Sequence, residues 1–372
     1  MQRLTGRIRA YAWGSRTSLA SLTGRPTPSE GPEAELWLGA HPDEPSELPG
    51  GSLLEAVEKD PAGVLGASTV EEFGPRLPYL LKALAAEQPL SLQAHPNSAQ
   101  AREAYEAGRT GYTDPYHKPE LLVALDDGFE ALCGFRDPRA SAAELESLGV
   151  DALRPVIDAL RAGTDPEQAL RAGTRALMSW PEQQRAGLVD AVAAAGHPLA
   201  TDLAARYPGD VGVVVALLLN RVTLAAGEAV WMPAGNLHCY LRGFGVEIMA
   251  ASDNVLRGGL TPKRVDVPEL MRVLRFEVLE QPVVRPVPVR DGVSTWSAPI
   301  RDFALYKASV RDGETMLPAS GPRILLCVAG TVGVSTGTGS LSLPAGAAAF
   351  VAASEPEVRV TGSGDVFQAG VA

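Results

Sequence analysis

The stretch GEAVWMPAGNLHCYL, residues 227–241, decides the fold of this chain. Pro233 and Gly235 are turn formers between two short apolar segments, and this arrangement predicts a tight β-hairpin. Successive side chains of a strand point to opposite faces, so His238 and Tyr240 share one face of the second strand. The pattern is typical of a hairpin that aims a histidine into the interior of a small β-barrel.

The stretch LSLPAGAAAFVAA, residues 341–353, repeats the same Pro-Ala-Gly turn near the end of the sequence. We interpret it as a weak internal repeat of one β-barrel design. Ala349 stands at the position that matches His238, so the second copy lacks that metal ligand. The sequence therefore predicts two related β units, one of which binds no metal in this way.

The chain divides into zones that differ in the period of their apolar residues. Residues 1–138 hold short apolar segments separated by Pro and Gly, as expected for β structure. Residues 139–220 are rich in Ala, Leu, Arg and Glu, with helix starts predicted at a Ser141–Glu144 capping box and at Asp165–Pro166. A β pattern returns over 221–285 and continues to the end. We predict a catalytic unit from 1–138 and 221–285, a helical insertion at 139–220, and a second β unit at 286–372.

Composition excludes several classes of protein. The 372 residues are 45% hydrophobic and 21% charged, as in folded globular proteins. A net charge of −11 without a Lys/Arg-rich run argues against nucleic-acid binding. Neither a signal peptide nor an apolar run long enough to span a bilayer is recognisable, so we expect a cytoplasmic monomer. Cys133, Cys239 and Cys327 have no paired spacing and are expected to be reduced and buried.

Two further segments carry candidate ligands. In LSLQAHP, residues 90–96, strand alternation places Ser91, Gln93 and His95 on one face. In YHKPELLVAL, residues 116–125, Glu120 opens an otherwise apolar strand, where a carboxylate is costly unless something compensates it. Taken singly, the first segment could be a polar face on an edge strand and Glu120 a residue at a strand end. Likewise, His238 alone could be a core histidine after a turn.

Together the three segments supply two imidazoles, one carboxylate and one amide oxygen: His95, His238, Glu120 and Gln93. This mixed nitrogen and oxygen set suits one borderline divalent ion with room for substrate or water. We therefore predict a single site for one divalent metal ion.

The segments resemble known families. Gly227, Pro233, Gly235 and His238 reproduce the G-x5-P-x-G-x2-H pattern of the second cupin motif. The chain departs from the general cupin pattern because Gln93 replaces the first histidine, Arg242 stands at the usual Asn position, and Glu120 lies far from His95. These departures lead to a narrower family. The motifs QAHP, HKPE, PAGNLHCYL and VEIMAASDNVLRGGLTPK, with YAWG, ELWLGAHP and LLKAL, resemble the type I mannose-6-phosphate isomerases over essentially the whole chain.

The resemblance implies a mainly β fold with a helical insertion: two cupin-like jelly-roll barrels plus an α-helical domain. It implies a zinc enzyme that interconverts mannose 6-phosphate and fructose 6-phosphate through an enediolate, with the metal on Gln93, His95, Glu120 and His238. It also points to Arg257 as a charge-stabilising cation. Further candidates are, for proton transfer, His117, Lys118, Glu247 and Asp253; for the phosphate, Lys82, Ser91 and Lys263; and for the pocket walls, Trp13 and Tyr240.

Two other functions remain open at this stage. One is a non-catalytic, sugar-sensing cupin that keeps the metal as a structural element, although the acid/base candidates and Arg257 beside a full ligand set count against it. The other is an iron-dependent dioxygenase, since cupins also use iron. The glutamine ligand and the HKPE segment disfavour that reading. Fold alone does not decide among these functions, so the choice rests on the site motifs.

Overall fold

The computed structural model describes residues 1–319 and 321–372. It has a mixed β/α fold with two large antiparallel sheets, of eleven and eight strands, a two-stranded ribbon, and a helical region. The strands are β1 (Gln2–Leu4), β2 (Arg7–Arg9), β3 (Glu35–Leu38), β4 (Glu47–Leu48), β5 (Gly51–Ser52), β6 (Tyr79–Ala86), β7 (Leu92–Ala94), β8 (Glu120–Ala124), β9 (Phe129–Phe135), β10 (Leu219–Leu224), β11 (Ala229–Met232), β12 (His238–Ala250), β13 (Leu256–Gly259), β14 (Val283–Val284), β15 (Val287–Arg290), β16 (Val293–Thr295), β17 (Ala304–Leu317), β18 (Arg323–Thr336), β19 (Gly339–Pro344), β20 (Ala348–Val351) and β21 (Val358–Gly370).

The eleven-stranded sheet is organised around the long strand β12. The first half of β12 pairs with β7 and β9, and its second half pairs with β6 and β8. One path runs β14-β11-β8-β12-β6-β3-β2, while β13 joins β7 and β10 joins β9. The smaller sheet follows the order β1-β20-β18-β21-β17-β16-β15, with β19 on β18. Both paths end at edge strands within the described residues, so the expectation of closed barrels is not met and both sheets are open.

The helical region begins earlier than the sequence suggested. Its first helix starts at Pro138, where the Asp137 side chain accepts hydrogen bonds from two backbone amides. Ser141 lies inside that helix, so the capping box predicted there is wrong; the Asp-Pro pair upstream is the stronger start signal. Asp165 does cap a helix that begins at Pro166, as predicted. The helices are α1 (Ser18–Leu22), α2 (Leu53–Lys59), α3 (Pro61–Leu65), α4 (Ala67–Phe73), α5 (Ser98–Glu106), α6 (Pro138–Ser147), α7 (Arg154–Arg161), α8 (Pro166–Met178), α9 (Glu182–Ala194), α10 (Pro198–Arg206), α11 (Gly212–Val215) and α12 (Val267–Val273).

The helices cover the outer face of the strands that carry the candidate ligands. Leu92, Ala94, Leu237 and Cys239 lie in one core with the apolar faces of α6 to α10. Residues between them in the sequence, such as His238, therefore point the other way, into the space enclosed by the eleven-stranded sheet. No helix in the described part of the chain is both long and apolar enough to cross a membrane.

The second β unit packs directly on the first. A shared core joins Leu81 and Ile248 of the larger sheet to Phe303, Leu326 and Phe367 of the C-terminal segment. The first strand of the chain, β1, pairs with β20 and so belongs to the smaller sheet. The two units are thus held together by apolar packing and by the path of the chain itself.

The turns of the internal repeat have the same backbone geometry. Gly235 has φ = 79° and Gly346 has φ = 80°, a left-handed conformation that favours glycine. Ala349, at the position equivalent to His238, is fully buried among apolar side chains. The second unit therefore keeps the turn and replaces the ligand by a packing residue. The cysteines Cys133, Cys239 and Cys327 are buried and free, as the composition predicted.

Candidate metal centre and surrounding site

Three side chains from separate strands converge inside the larger sheet. His95 follows β7, Glu120 opens β8 and His238 opens β12, and each is at most 2% exposed. The Nε2 atom of His238 lies 3.2 Å from Glu120 Oε2, and that of His95 lies 3.4 Å from Glu120 Oε1. One potential ligand atom from each residue lies within 4.8 Å of the others. The geometry brings together three of the four ligands predicted from sequence.

Both imidazoles direct a lone pair towards this centre. His95 Nδ1 donates to the Asn254 carbonyl at 2.7 Å, and His238 Nδ1 donates to the Asn236 carbonyl at 3.0 Å. With the proton on Nδ1, each Nε2 is an acceptor and cannot donate to Glu120. Both Nε2 atoms and Glu120 Oε2 are accordingly buried without a hydrogen-bond partner. These three converging acceptors, of which the two imidazoles are oriented by backbone carbonyls, fit a bound divalent cation.

The charges of the three residues suit the same purpose. Burial lowers the pKa of His95 to about 4, so its imidazole is neutral near pH 7. Burial opposes ionisation of Glu120, but the ammonium group of Lys118 favours the carboxylate and holds its pKa below the ordinary value. The Lys118 Nζ lies 3.3 Å from Glu120 Oε1. The centre therefore has a neutral imidazole at His95 and a carboxylate at Glu120, the states in which these groups bind metals.

Gln93 and Arg257 lie beside the three converging residues. In the antiparallel pairing, Gln93 is opposite His238 on one side and opposite Arg257 on the other. Directly paired residues project from the same face of a sheet. The amide and the guanidinium therefore project from the face that carries His238.

A buried charge network extends from this centre along the sheet interior. Lys82 Nζ lies 2.9 Å from Glu247 and 3.4 Å from Glu35. Tyr240 donates its hydroxyl to Glu247 at 2.8 Å, and Trp37 Nε1 donates to Glu35 at 2.8 Å. Burial opposes the charged form of Lys82, but the surrounding carboxylates outweigh it and raise its pKa above the ordinary value. Lys82 is therefore a permanent cation that is already paired with two carboxylates.

Two acid/base candidates are held from outside the metal centre. His117 Nε2 lies 3.0 Å from both carboxylate oxygens of Asp302 in the C-terminal segment. Asp253 accepts a hydrogen bond from His41 Nε2 at 2.9 Å, which holds the pKa of Asp253 below its ordinary value. His41 Nδ1 in turn accepts from the Asp43 amide.

The remaining candidates lie around the rim. Trp13 stacks on Tyr11 with ring centroids 5.7 Å apart, and it packs at the edge of the core that contains Tyr240. Ser91 is half-buried just before β7, and Lys263 is exposed on the loop after β13. Neither position by itself defines a phosphate site.

Sequence reasoning missed four residues of this environment. Glu35, Trp37 and His41 lie in ELWLGAHP, which had been noted only as a motif; a glutamate in a buried apolar strand was the available signal. Asp302, in contrast, lies in a loop that shows no pattern.

Comparison with known proteins identifies the family. Residues 1–138 match the model of the phosphomannose isomerase type I catalytic domain, and 294–369 match the mannose-6-phosphate isomerase cupin domain. The mannose-6-phosphate isomerase of Escherichia coli (strain K12) is 36% identical over 386 residues, covering 98% of both chains. The crystal structure of a phosphomannose isomerase variant from Salmonella typhimurium superposes with a TM-score of 0.91 at 34% identity, over 100% of this chain and 99% of that one. A mannose 6-phosphate isomerase structure bound with zinc and yttrium gives 0.87 at 34% identity, with the same coverage. The chain belongs to the type I phosphomannose isomerase family.

Proposed function

We propose that this chain is an aldose–ketose isomerase that interconverts D-mannose 6-phosphate and D-fructose 6-phosphate. A mannose-6-phosphate isomerase and a solved phosphomannose isomerase variant match it over 98% and 100% of its length. The single observation that carries the proposal is the set of three buried, unpartnered acceptor atoms of His95, Glu120 and His238. Without a bound cation these atoms would face one another at a cost in stability, so the site is built for a metal ion.

The three residues would hold one divalent ion, with Gln93 as the fourth ligand. Nitrogen and oxygen donors of this kind suit zinc, and a relative has been solved with zinc bound. When bound, the ion would supply positive charge to the sugar oxygens at C1 and C2. The zinc assignment and the fourth ligand are supported by the donor chemistry and by the pairing of Gln93 with His238.

Isomerisation moves one proton between C1 and C2, and the chain must provide the group that carries it. Glu247 is enclosed by Lys82 and Tyr240, and Asp253 is bonded to His41. Among the described residues, Lys118 pairs with one carboxylate, that of Glu120 in the candidate metal centre, and is the candidate that the geometry favours. Arg257, across from Gln93, would stabilise the negative charge that develops on the sugar oxygens.

The phosphate would lie towards the rim. Lys82, Ser91 and Lys263 stay candidates for binding it, with Trp13 and Tyr240 as walls. Since Lys82 already pairs with two carboxylates, it would contribute to phosphate binding by long-range attraction rather than by a direct ion pair.

We infer that both open sheets are derived from cupin-like jelly rolls. The matching Pro-Ala-Gly turns with equal glycine φ angles support this origin. The division into 1–138 with 221–285, 139–220, and 286–372 is supported by the helical core over 139–220 and by the match of 294–369 to a cupin domain.

The test is turnover of mannose 6-phosphate by zinc-loaded protein, followed by coupled detection of fructose 6-phosphate. Arg257→Ala should lower kcat far more than it raises KM, because its interaction is strongest in the transition state. Arg221→Ala is the matched control, since Arg221 pairs with Glu130 and its side chain is 45% exposed. A zinc-loaded wild type that produces no fructose 6-phosphate would refute the proposal and favour a sugar-sensing role.

A further inference from the structure

We propose that Asp302, supplied by the C-terminal segment, is a positioning residue that orients His117 beside Lys118. The inference rests on the proposed isomerase function and gives the second β unit a part in it. The candidate metal-ligand groups of the described chain lie in the first unit, and the second unit reaches this site through side-chain contacts.

The contact itself is specific. Asp302 is 6% exposed, and both of its carboxylate oxygens lie 3.0 Å from His117 Nε2. Within residues 1–319 and 321–372, these are the hydrogen bonds that the His117 ring makes. A buried carboxylate without a donor would be costly, so the imidazole and Asp302 stabilise each other.

The position of His117 in the chain makes the contact relevant to the site. His117 immediately precedes Lys118, whose Nζ lies 3.3 Å from Glu120. The backbone just before it is fixed separately: Arg76 lies 3.6 Å above the Tyr116 ring, and Asn254 donates to the Tyr116 carbonyl at 2.9 Å. With the main chain held at Tyr116, Asp302 sets the direction of the next side chain.

The carboxylate is itself held in place by its neighbours. Phe303 packs edge-on against Trp231, with ring centroids 6.2 Å apart, and Trp231 pairs with Leu121 of β8. The neighbouring Arg301 side chain is 77% exposed and pairs with Glu72 at the surface, so it takes no part in this packing. Docking of the second unit therefore delivers Asp302 to a fixed point next to the strand that begins with Glu120.

The chemical consequence follows from the hydrogen-bond roles. A carboxylate that accepts from Nε2 keeps the proton on that nitrogen and fixes both the tautomer and the ring plane, as in other Asp–His pairs. Loss of the contact would free the ring and loosen the residue that follows it. A misplacement of about 1 Å in a catalytic group is enough to reduce the rate about 100-fold.

The test compares variants of the zinc-loaded full chain. Asp302→Ala should lower kcat by about 10- to 100-fold and change KM by less than about 3-fold, with zinc content unchanged. Asp302→Asn keeps an oxygen acceptor and should stay within about 5-fold of wild type. Arg301→Ala is the control, because it removes the adjacent contact to Glu72 and leaves Asp302 in place; it should behave as wild type.

A double-mutant cycle identifies the target of Asp302. In a His117→Gln background, Asp302→Ala should have less than about a 2-fold further effect if Asp302 acts through His117. Arg76, whose pKa is lowered by burial and partly restored by nearby charges that include Asp302, is the alternative target. A full additional loss in the His117→Gln background would overturn the inference.

A readout without turnover separates this inference from the proposed function. The chain has five histidines, so the ring signals of His117 can be assigned by nuclear magnetic resonance with single substitutions. Asp302→Ala should change the tautomer signature of His117, and Arg301→Ala should not. Unchanged ring signals, or wild-type kcat in Asp302→Ala, would refute the role of Asp302. An inactive wild type would refute the proposed function, while the ring signals would still decide the contact.

Discussion

Removal of the proposed divalent ion is expected to destabilise the folded chain, because the site contains three buried acceptor atoms that the cation would satisfy. His95 Nε2, His238 Nε2 and Glu120 Oε2 are all buried without a partner. An unsatisfied buried polar atom costs about 1–3 kcal/mol. Three of them would together cost about 3–9 kcal/mol, which the ion offsets when bound.

Linkage gives an independent scale for the same effect. Free zinc at about 1,000 times its Kd stabilises the folded state by about 4 kcal/mol. In a chain of this size, about 2 °C of melting temperature corresponds to 1 kcal/mol, so chelation should lower Tm by about 8 °C. This stabilisation of about 4 kcal/mol lies inside the range of about 3–9 kcal/mol that follows from the unsatisfied atoms.

The assay is differential scanning calorimetry at fixed free zinc, then with EDTA, then after zinc is restored. Glu120→Gln keeps the side-chain shape but removes the charge, and it should lose both the zinc stoichiometry and most of the chelation shift. Glu130→Gln is the control, because Glu130 is 6% exposed in the same sheet but pairs with arginines. A Glu120→Gln protein that binds one zinc per chain and shows the wild-type shift would refute the reasoning.

Three further predictions concern stability. Gly235→Ala should lower the free energy of unfolding in urea by about 2–5 kcal/mol, because the residue has φ = 79° and an added Cβ would lie 2.8 Å from a backbone carbonyl oxygen. Gly227→Ala is the control, with φ = 87° and open space around the added Cβ, and it should cost only about 1–2 kcal/mol. Equal losses in the two variants would contradict the steric argument. Lys82→Met should cost about 3–5 kcal/mol because it leaves two buried carboxylates unpaired, whereas Lys307→Met, at a partly exposed pair, should cost at most about 1 kcal/mol. Burial opposes ionisation of Glu130, but its two arginine partners outweigh burial and lower its pKa, so its contribution to stability is present above pH 4.5 and lost as pH falls. Acidification should therefore destabilise wild type more than Glu130→Gln. Parallel plots of unfolding free energy against pH for the two proteins would contradict this.

The sequence was informative wherever one local rule decides the structure. Strand alternation placed Gln93 and His238 on the inner face, since a one-residue shift would have exposed the apolar side that packs on the helices. The Pro-Ala-Gly turn was recognisable because only glycine adopts its left-handed backbone at low cost. The candidate ligands could thus be proposed from short segments.

Features that depend on long-range docking could not be found in this way. Asp302 reaches His117 across 185 positions of sequence. Its role comes from packing around Phe303 and Trp231, which no local period encodes. The same holds for β1, whose three residues join the smaller sheet although they precede the larger one. The predicted helix start at Ser141 was wrong for a different reason. Two start signals lie close together there, and the helix begins at the upstream one, with Asp137 as its cap.

The balance of buried charge connects the metal to the substrate. Five ionisable side chains other than histidine lie buried at the centre and its network, namely Glu35, Glu120, Glu247, Lys82 and Lys118. With all five groups ionised, three carboxylates and two ammonium groups give a net charge of −1, which would repel a sugar phosphate. A bound divalent ion changes this to +1, and Arg257 at the edge of the same face adds another positive charge. In this interior the ion would therefore do more than act on the sugar oxygens, because it would also set the sign of the field that an anionic substrate meets on entry.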